Sequence, residues 1–358
     1  MKLHVGEGEK FLSWNNEHFV YSGRMDFDYE GGPLWVYPCS FVKVRFIGTG
    51  MKAVVRNIRS YWGNSVGWIL DGKEGRAELP DEGVAVINIA ENLENKEHEL
   101  CFFKRMDSCH MMVFHGFVVD ESVKLLPAEK LSERRIEVYG DSVSAGEVSE
   151  AVEYCGMPDP EHNGEYSNSY YSYAWLTARK LGAQLHDIAQ GGIALFDKTG
   201  YFNGPDTMGL LSMYDKIQYM PGKCEPKKWD FKKYTPQVVI LAFGQNDSHP
   251  EDYMKEDYYG EKAMKWRRGY IDFIKTIRSI YPQCHIICKT TILGHDFSWD
   301  RAIEDCVNTC EDDKVHYFKY SNNSVGTQGH IRKPEAEQMA EELSSFIEGL
   351  NQTYGFWE

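Results

Sequence analysis

The stretch IEVYGDSVSAGE, Ile136 to Glu147, begins as an apolar strand and ends in small residues suited to a tight turn, with Gly140, Asp141 and Ser142 at the change. A strand-to-helix turn of this kind can present a serine hydroxyl and its own backbone N–H at a sheet edge. Taken singly, the triplet serves equally well as a helix cap, because Asp and Ser are ordinary N-cap residues. The pattern on either side of it decides the fold.

Downstream, apolar strands alternate with amphipathic helices. The strands are IEVYG, QLHDIA, VVILAFG, HIICKT and VHYF; helical stretches run around Tyr170 to Leu181, Lys262 to Ile280, Trp299 to Cys310 and Glu335 to Leu350, the last with Pro334 at its start. Alternation of this kind predicts a parallel sheet covered by helices on both faces, with its active site at the carboxyl ends of the strands. Upstream, from about residue 40 to residue 120, runs such as FVKVRFIG, KAVVRNI, VGWILDG, VAVINIA, HELCFFKR and HMMVFHGFVVD show period-two alternation with β-branched and aromatic residues. They predict an antiparallel β-sandwich. The charged segment LLPAEKLSERR reads as a connector, so the expected division is 1–124 for the sandwich and 125–358 for the α/β domain.

A chain of 358 residues with 42% apolar content can bury a sizeable core. Its 39 basic against 54 acidic residues give a net charge of −15, which repels nucleic acid and anionic lipid alike. The opening MKLHVGEGEKFLSWNN has no apolar segment of signal-peptide length, and the longest apolar runs are strand-sized, so a soluble, cytoplasmic protein is expected. Nine cysteines form no compact framework. The pairs Cys284/Cys288 and Cys306/Cys310 lack zinc-knuckle spacing and read as buried thiols, so neither metal nor cofactor is expected.

The other strand ends then carry the argument. QLHDIA runs into Gln190-Gly191-Gly192, where glycine allows backbone N–H groups to approach a ligand. VVILAF runs into Gly244-Gln245-Asn246-Asp247, an uncharged amide donor where a developing oxyanion needs one. His330, in SVGTQGHIRKPEAEQ, precedes the last helix and is positioned to accept a serine proton.

Gly140-Asp141-Ser142, Gly191, Gly244 to Asp247 and His330, in this order, resemble the four blocks of the SGNH (GDSL-like) hydrolase superfamily. With the preceding sandwich, the layout resembles carbohydrate esterase family two, in which a jelly-roll domain precedes a flavodoxin-like SGNH domain and acetyl groups are removed from plant polysaccharides or their oligosaccharides. The resemblance implies Ser142 as nucleophile, His330 as general base, and an oxyanion hole from Ser142 N–H, Gly191 N–H and the Asn246 side chain, with Asp141 orienting the turn. The superfamily usually carries an Asp three residues before the histidine; here that position is Thr327. Either a backbone carbonyl holds His330 in a Ser-His dyad, the arrangement slightly favoured, or a carboxylate from another loop does so, with Asp296 and Asp300 the nearest by topology.

The implied activity is a carbohydrate O-acetyl esterase acting on xylo-oligosaccharides or related fragments. A short-chain carboxylesterase and a non-catalytic carbohydrate-binding protein are the alternatives. Trp299 and the cluster Tyr166 to Tyr171 are the expected sugar contacts, since aromatic faces pack against sugar rings. A homo-oligomer assembled through the sandwich is an arrangement the sequence allows.

Overall fold

The computed structural model describes residues 5–218 and 226–357. The first four residues of the N-terminal stretch and Cys224 lie outside them. The N-terminal part consists of β1 (Glu9–Ser13), β2 (Val20–Ser22), β3 (Met25–Asp26), β4 (Leu34–Trp35), β5 (Phe41–Gly48), β6 (Met51–Ile58), β7 (Ser65–Leu70), β8 (Lys73–Glu78), β9 (Val84–Ala90), β10 (Lys96–Lys104), β11 (Met111–Asp120) and β12 (Lys124–Leu125). They form two antiparallel sheets, one ordered β3-β4-β11-β6-β9 with β1 on β11, the other β12-β5-β10-β7-β8 with β2 on β5. Trp35, Phe46, Phe102, Phe114 and Phe117 fill the space between them, each such burial stabilising by roughly 1.5–3 kcal/mol. The strand β8 reads KEGRAE and is largely exposed at the sheet edge. Without an apolar face it leaves no periodic signal, and its charges discourage pairing with another chain.

The second part runs β13 (Arg135–Gly140), α1 (Ser142–Ala145), α2 (Tyr173–Lys180), β14 (Gln184–Ala189), α3 (Leu210–Met213), β15 (Val238–Ala242), α4 (Tyr253–Glu256), α5 (Glu261–Ile280), β16 (His285–Lys289), α6 (Phe297–Cys310), β17 (Val315–Tyr317) and α7 (Lys333–Tyr354). Its strands pair in parallel in the order β14-β13-β15-β16-β17. The order reverses direction at β13, and in open α/β sheets the crevice beyond the strand ends at such a point takes the ligand. Helix α5 turns Ala263, Trp266, Tyr270, Phe273 and Ile277 to one face, a helical spacing that places them all on the core side. On the other face α7 buries Ala336, Met339, Leu343 and Ile347.

The two parts share their cores. Leu34, Val36, Tyr37 and Met111 pack in one cluster with Tyr139, Leu241 and Phe273, and Phe41 and Phe103 pack with Tyr173 and Trp175. At the centre of the junction the Arg24 guanidinium meets Glu137 at 3.2 Å, both side chains fully buried. The Tyr139 and Tyr281 hydroxyls donate to the other Glu137 oxygen at 2.7 and 3.2 Å. Cys284, Cys288 and Cys306 are buried free thiols and Cys310 a half-buried one. Burial raises all four above the usual thiol range, which leaves little reactive thiolate. Among the described residues no helix is long and apolar enough to cross a membrane.

Candidate active site

Ser142 opens α1 directly beyond β13 and is 8% exposed. Asp141 caps that turn, accepting from Val143 N–H at 3.0 Å. Its second oxygen accepts from the Gln245 amide at 2.6 Å and the Asn246 amide at 3.4 Å. The Gln245 carbonyl oxygen accepts in turn from Thr291 N–H at 3.0 Å. One amide thus ties together the carboxyl ends of β13, β15 and β16 and brings Asn246 beside the serine turn. Burial raises the Asp141 carboxyl to about 6, opposed by the Val143 hydrogen bond. Lys289 lies fully buried with its ammonium 4.0 Å from the Tyr173 ring centroid. Burial lowers it to about 7, with Asp141 acting in the opposite direction.

His330 is held by a carboxylate that the sequence did not single out. Its Nδ1 lies 2.7 Å from Asp159 Oδ2, and its backbone N–H donates to Asp159 Oδ1 at 3.2 Å. Arg332 Nη2 is 2.9 Å from Asp159 Oδ1 and His162 Nε2 is 3.0 Å from Oδ2. Partial burial alone would raise the Asp159 carboxyl, but the bonds from His162, His330 and Arg332 outweigh it and hold the group well below the usual range. The Asp159 contact replaces the backbone-carbonyl dyad expected above. Asp296 caps α6, accepting from Ser298 N–H at 3.0 Å. Asp300 pairs with His295 at 3.1 Å and accepts from Thr290 and Asn323. Both point into the β16–α6 region because that is where their own chain segment needs capping and charge balance.

Thr327, at the position usually acidic, serves the loop that brings Asp159 in. Its hydroxyl accepts from Gly156 N–H at 2.8 Å, while its own N–H donates to Glu335 Oε1 at 2.7 Å. The other Glu335 oxygen accepts from Arg332 N–H at 2.7 Å at the start of α7. Gly329 has φ +90, and a Cβ there would fall 2.3 Å from Asp159 Oδ2. Only glycine permits both that backbone and that approach.

Gly191 ends β14 as expected, yet its N–H is already engaged. It donates to Asp107 Oδ2 at 2.8 Å, a carboxylate carried by the β10–β11 loop of the N-terminal part. The Gln190 amide donates to the same oxygen at 3.2 Å. The Lys104 ammonium donates to the backbone carbonyls of Met106 and Asp107 and fixes that loop from below. A Cβ on Gly191 would fall 2.3 Å from Glu147 Oε1. Glu147 is buried, and its other oxygen lies 3.5 Å from His330 Nε2. Burial first, then the neighbouring Asp107, Asp141 and Asp159, raise its carboxyl far above the usual range. Ser142, Gly191 and His330 therefore all border Glu147, whose own N–H donates to Ser142 O at 3.0 Å.

The expected sugar contacts need correcting. Trp299 is fully buried, with its indole N–H donating to Asp252 at 2.8 Å. Tyr170 stacks on Phe103, and Tyr171 donates to Glu74 at 2.5 Å; these rings pack the junction between the two parts. The exposed rings are elsewhere. Tyr61 is 42% exposed, and its neighbour Trp62 lies 5.7 Å from the His162 ring. Tyr201 and Phe202 are 60% and 49% exposed, with Phe202 against Gly192.

Residues 21–128 match the family model of the carbohydrate esterase 2 N-terminal domain. Over 345 residues, 93% of the chain, the sequence is 29% identical to cellulase/esterase CelE of Acetivibrio thermocellus, of which it spans 39%. It is 25% identical to an acetylxylan esterase/glucomannan deacetylase of Cellvibrio japonicus, covering 93% of this chain and 89% of that protein. A solved family two carbohydrate esterase from Clostridium thermocellum, in complex with cellohexaose, superposes with a TM-score of 0.80 at 28% identity, covering 94% of this chain and 99% of that one. In its N-terminal domain, its domain order and its fold, the chain is similar to the family two carbohydrate esterases.

Proposed function

We propose that the protein is a serine esterase that removes O-acetyl groups from plant-polysaccharide fragments such as xylo-oligosaccharides. The observation that carries this reading is the Asp159–His330 pair at 2.7 Å, whose imidazole borders Glu147, a residue hydrogen-bonded to the Ser142 carbonyl. Asp159, bonded to Nδ1, leaves Nε2 as the basic nitrogen and stabilises the imidazolium that forms. His330 Nε2 exchanges its Glu147 neighbour for Ser142 Oγ and accepts the serine proton as Oγ attacks the acetyl carbonyl. The tetrahedral oxyanion accepts from Ser142 N–H and the Asn246 side chain. His330 returns its proton to the sugar oxygen as the C–O bond breaks, and water, activated by the same imidazole, releases acetate from Ser142.

Gly191 N–H, bonded to Asp107, can serve as the third donor only if that bond opens. Gly192 N–H, in the same turn at φ +71, is the alternative that needs no such opening. The exposed Tyr61 with the half-buried Trp62, and the exposed Tyr201 and Phe202, favour a sugar-bearing ester over a simple one, because sugar rings stack on aromatic faces. The eight described cysteines, all free, support a reducing compartment such as the cytoplasm.

The test is acetate release from acetylated xylo-oligosaccharides and from p-nitrophenyl acetate by wild type and Ser142→Ala. Activity on both substrates that vanishes in the variant is expected. Full activity in Ser142→Ala overturns the mechanism, and activity on the simple ester alone moves the assignment to a carboxylesterase.

A further inference from the structure

From the arrangement of Glu147, His162 and His330 we infer a binding site for a divalent transition-metal ion of the zinc class at the mouth of the active site. One ligand atom from each of the three residues lies within 4.8 Å of the others. One pair, His330 Nε2 and Glu147 Oε2, is at 3.5 Å. Ligand atoms about 2.0–2.1 Å from a tetrahedral zinc ion are about 3.3 Å apart, so that pair already stands near coordinating distance. Two imidazoles and one carboxylate are also a donor set that zinc takes with its fourth position left open.

Two further features favour an ion here. Metal-bound histidines usually direct their second nitrogen to a carboxylate that fixes ring orientation. Asp159 Oδ2 fills that place for both rings, at 2.7 Å from His330 Nδ1 and 3.0 Å from His162 Nε2. Second, Glu147 is surrounded by Asp107, Asp141 and Asp159, with Arg332 the cation paired to Asp159. A dication relieves that crowding, with Glu147 bonding the metal through oxygen. The His162 side chain, 34% exposed against 13% for His330 and 8% for Glu147, provides the way in from solvent.

Binding stands apart from the esterase assignment. Its consequence rests on it: an ion on His330 Nε2 withdraws the nitrogen that accepts the serine proton, so the ion inhibits and a chelator restores activity. The full chain, freed of metal by dialysis against a chelator, is titrated calorimetrically with zinc chloride alongside Glu147→Gln and His162→Gln, each variant first checked for a cooperative thermal melt. One ion per wild-type chain is expected, with affinity reduced about 10- to 100-fold in each folded variant. No binding by wild type, or unchanged binding in both variants, overturns the site. If zinc binds as described yet neither substrate is hydrolysed in its absence, the esterase assignment fails and the metal site stands; if zinc binds and hydrolysis proceeds undiminished, the inhibitory consequence fails.

Discussion

Asp159 and His330 are 171 residues apart in the chain and 2.7 Å apart in the fold. This contact supplies the carboxylate that position 327 lacks. It depends on Thr327 itself, whose hydroxyl holds the Gly156 end of the same loop. A threonine replaces the usual acid locally, and the loop it anchors carries an acid to Nδ1 of the imidazole.

Asp159→Asn keeps the shape of the contact and removes its charge. In a serine hydrolase this change lowers kcat by about 10⁴-fold, with little effect on KM. Steady-state kinetics on p-nitrophenyl acetate check it, with Asp296→Asn and Asp300→Asn as comparisons expected to stay within a few-fold of wild type. Near-normal turnover in Asp159→Asn would return His330 to the dyad arrangement.

Thr327→Ala removes the acceptor of Gly156 N–H from a partly buried bond, and losing one such hydrogen bond costs about 0.5–1.5 kcal/mol. Urea unfolding should show that loss. The same variant should lose activity on both substrates alike, because the Asp159 loop loosens while the sugar-facing rings stay in place. A variant that is fully stable and fully active would show that the Thr327 bond does not hold the loop.

Asn246→Ala tests the oxyanion donor directly and should lower kcat about 10²- to 10³-fold with KM nearly unchanged. Gly192→Ala is the companion variant. A Cβ there falls 2.2 Å from the Phe202 ring, so displacement of that exposed ring should raise KM for acetylated oligosaccharides more than for p-nitrophenyl acetate. Equal effects on the two substrates would remove Phe202 from the sugar-binding surface.

Arg24→Met strands the Glu137 carboxylate in the junction between the two parts. Breaking a buried pair by removing one partner costs about 3–5 kcal/mol, a large share of a typical domain's stability. Arg24→Met/Glu137→Met should recover much of it, since two apolar side chains leave no uncompensated charge. Thermal melts of the three proteins decide the matter; a double variant no better than the single would mean that packing around Arg24, and not its charge, holds the junction.

The buried Asp141 carboxyl gives a pH signature. Its folded pKa, raised by burial to about 6, exceeds the unfolded 3.8. Between those values the native state holds a proton that the unfolded chain has released. Stability from this group is therefore fully present below the unfolded value and is lost as pH rises through about 6, amounting to about 3 kcal/mol across the window. Asp141→Asn keeps a cap acceptor and should not show that loss, so the stability difference between variant and wild type should shift in the variant's favour from pH 4 to pH 6.5. Parallel curves in urea unfolding over this range would assign the pH dependence elsewhere.

The sequence by itself determined the parallel sheet, the antiparallel sheets before it and the strand ends that carry Ser142, Gly191 and Asn246. Those features are local: a strand of period two, an amphipathic helix and a glycine turn each write their pattern into consecutive residues. The tertiary structure alone decided what stands around them. Asp159 sits in GMPDPEHNGEY, whose Pro and Gly mark a loop without indicating where it folds, and Asp107 comes from a β10–β11 loop that looked purely structural. Trp299 shows the converse, an aromatic beside a strand end that the packing of α5 and α6 closes away from solvent. A charge or a ring acquires its role from the partners and burial that the whole fold supplies, and no pattern of neighbouring residues encodes those.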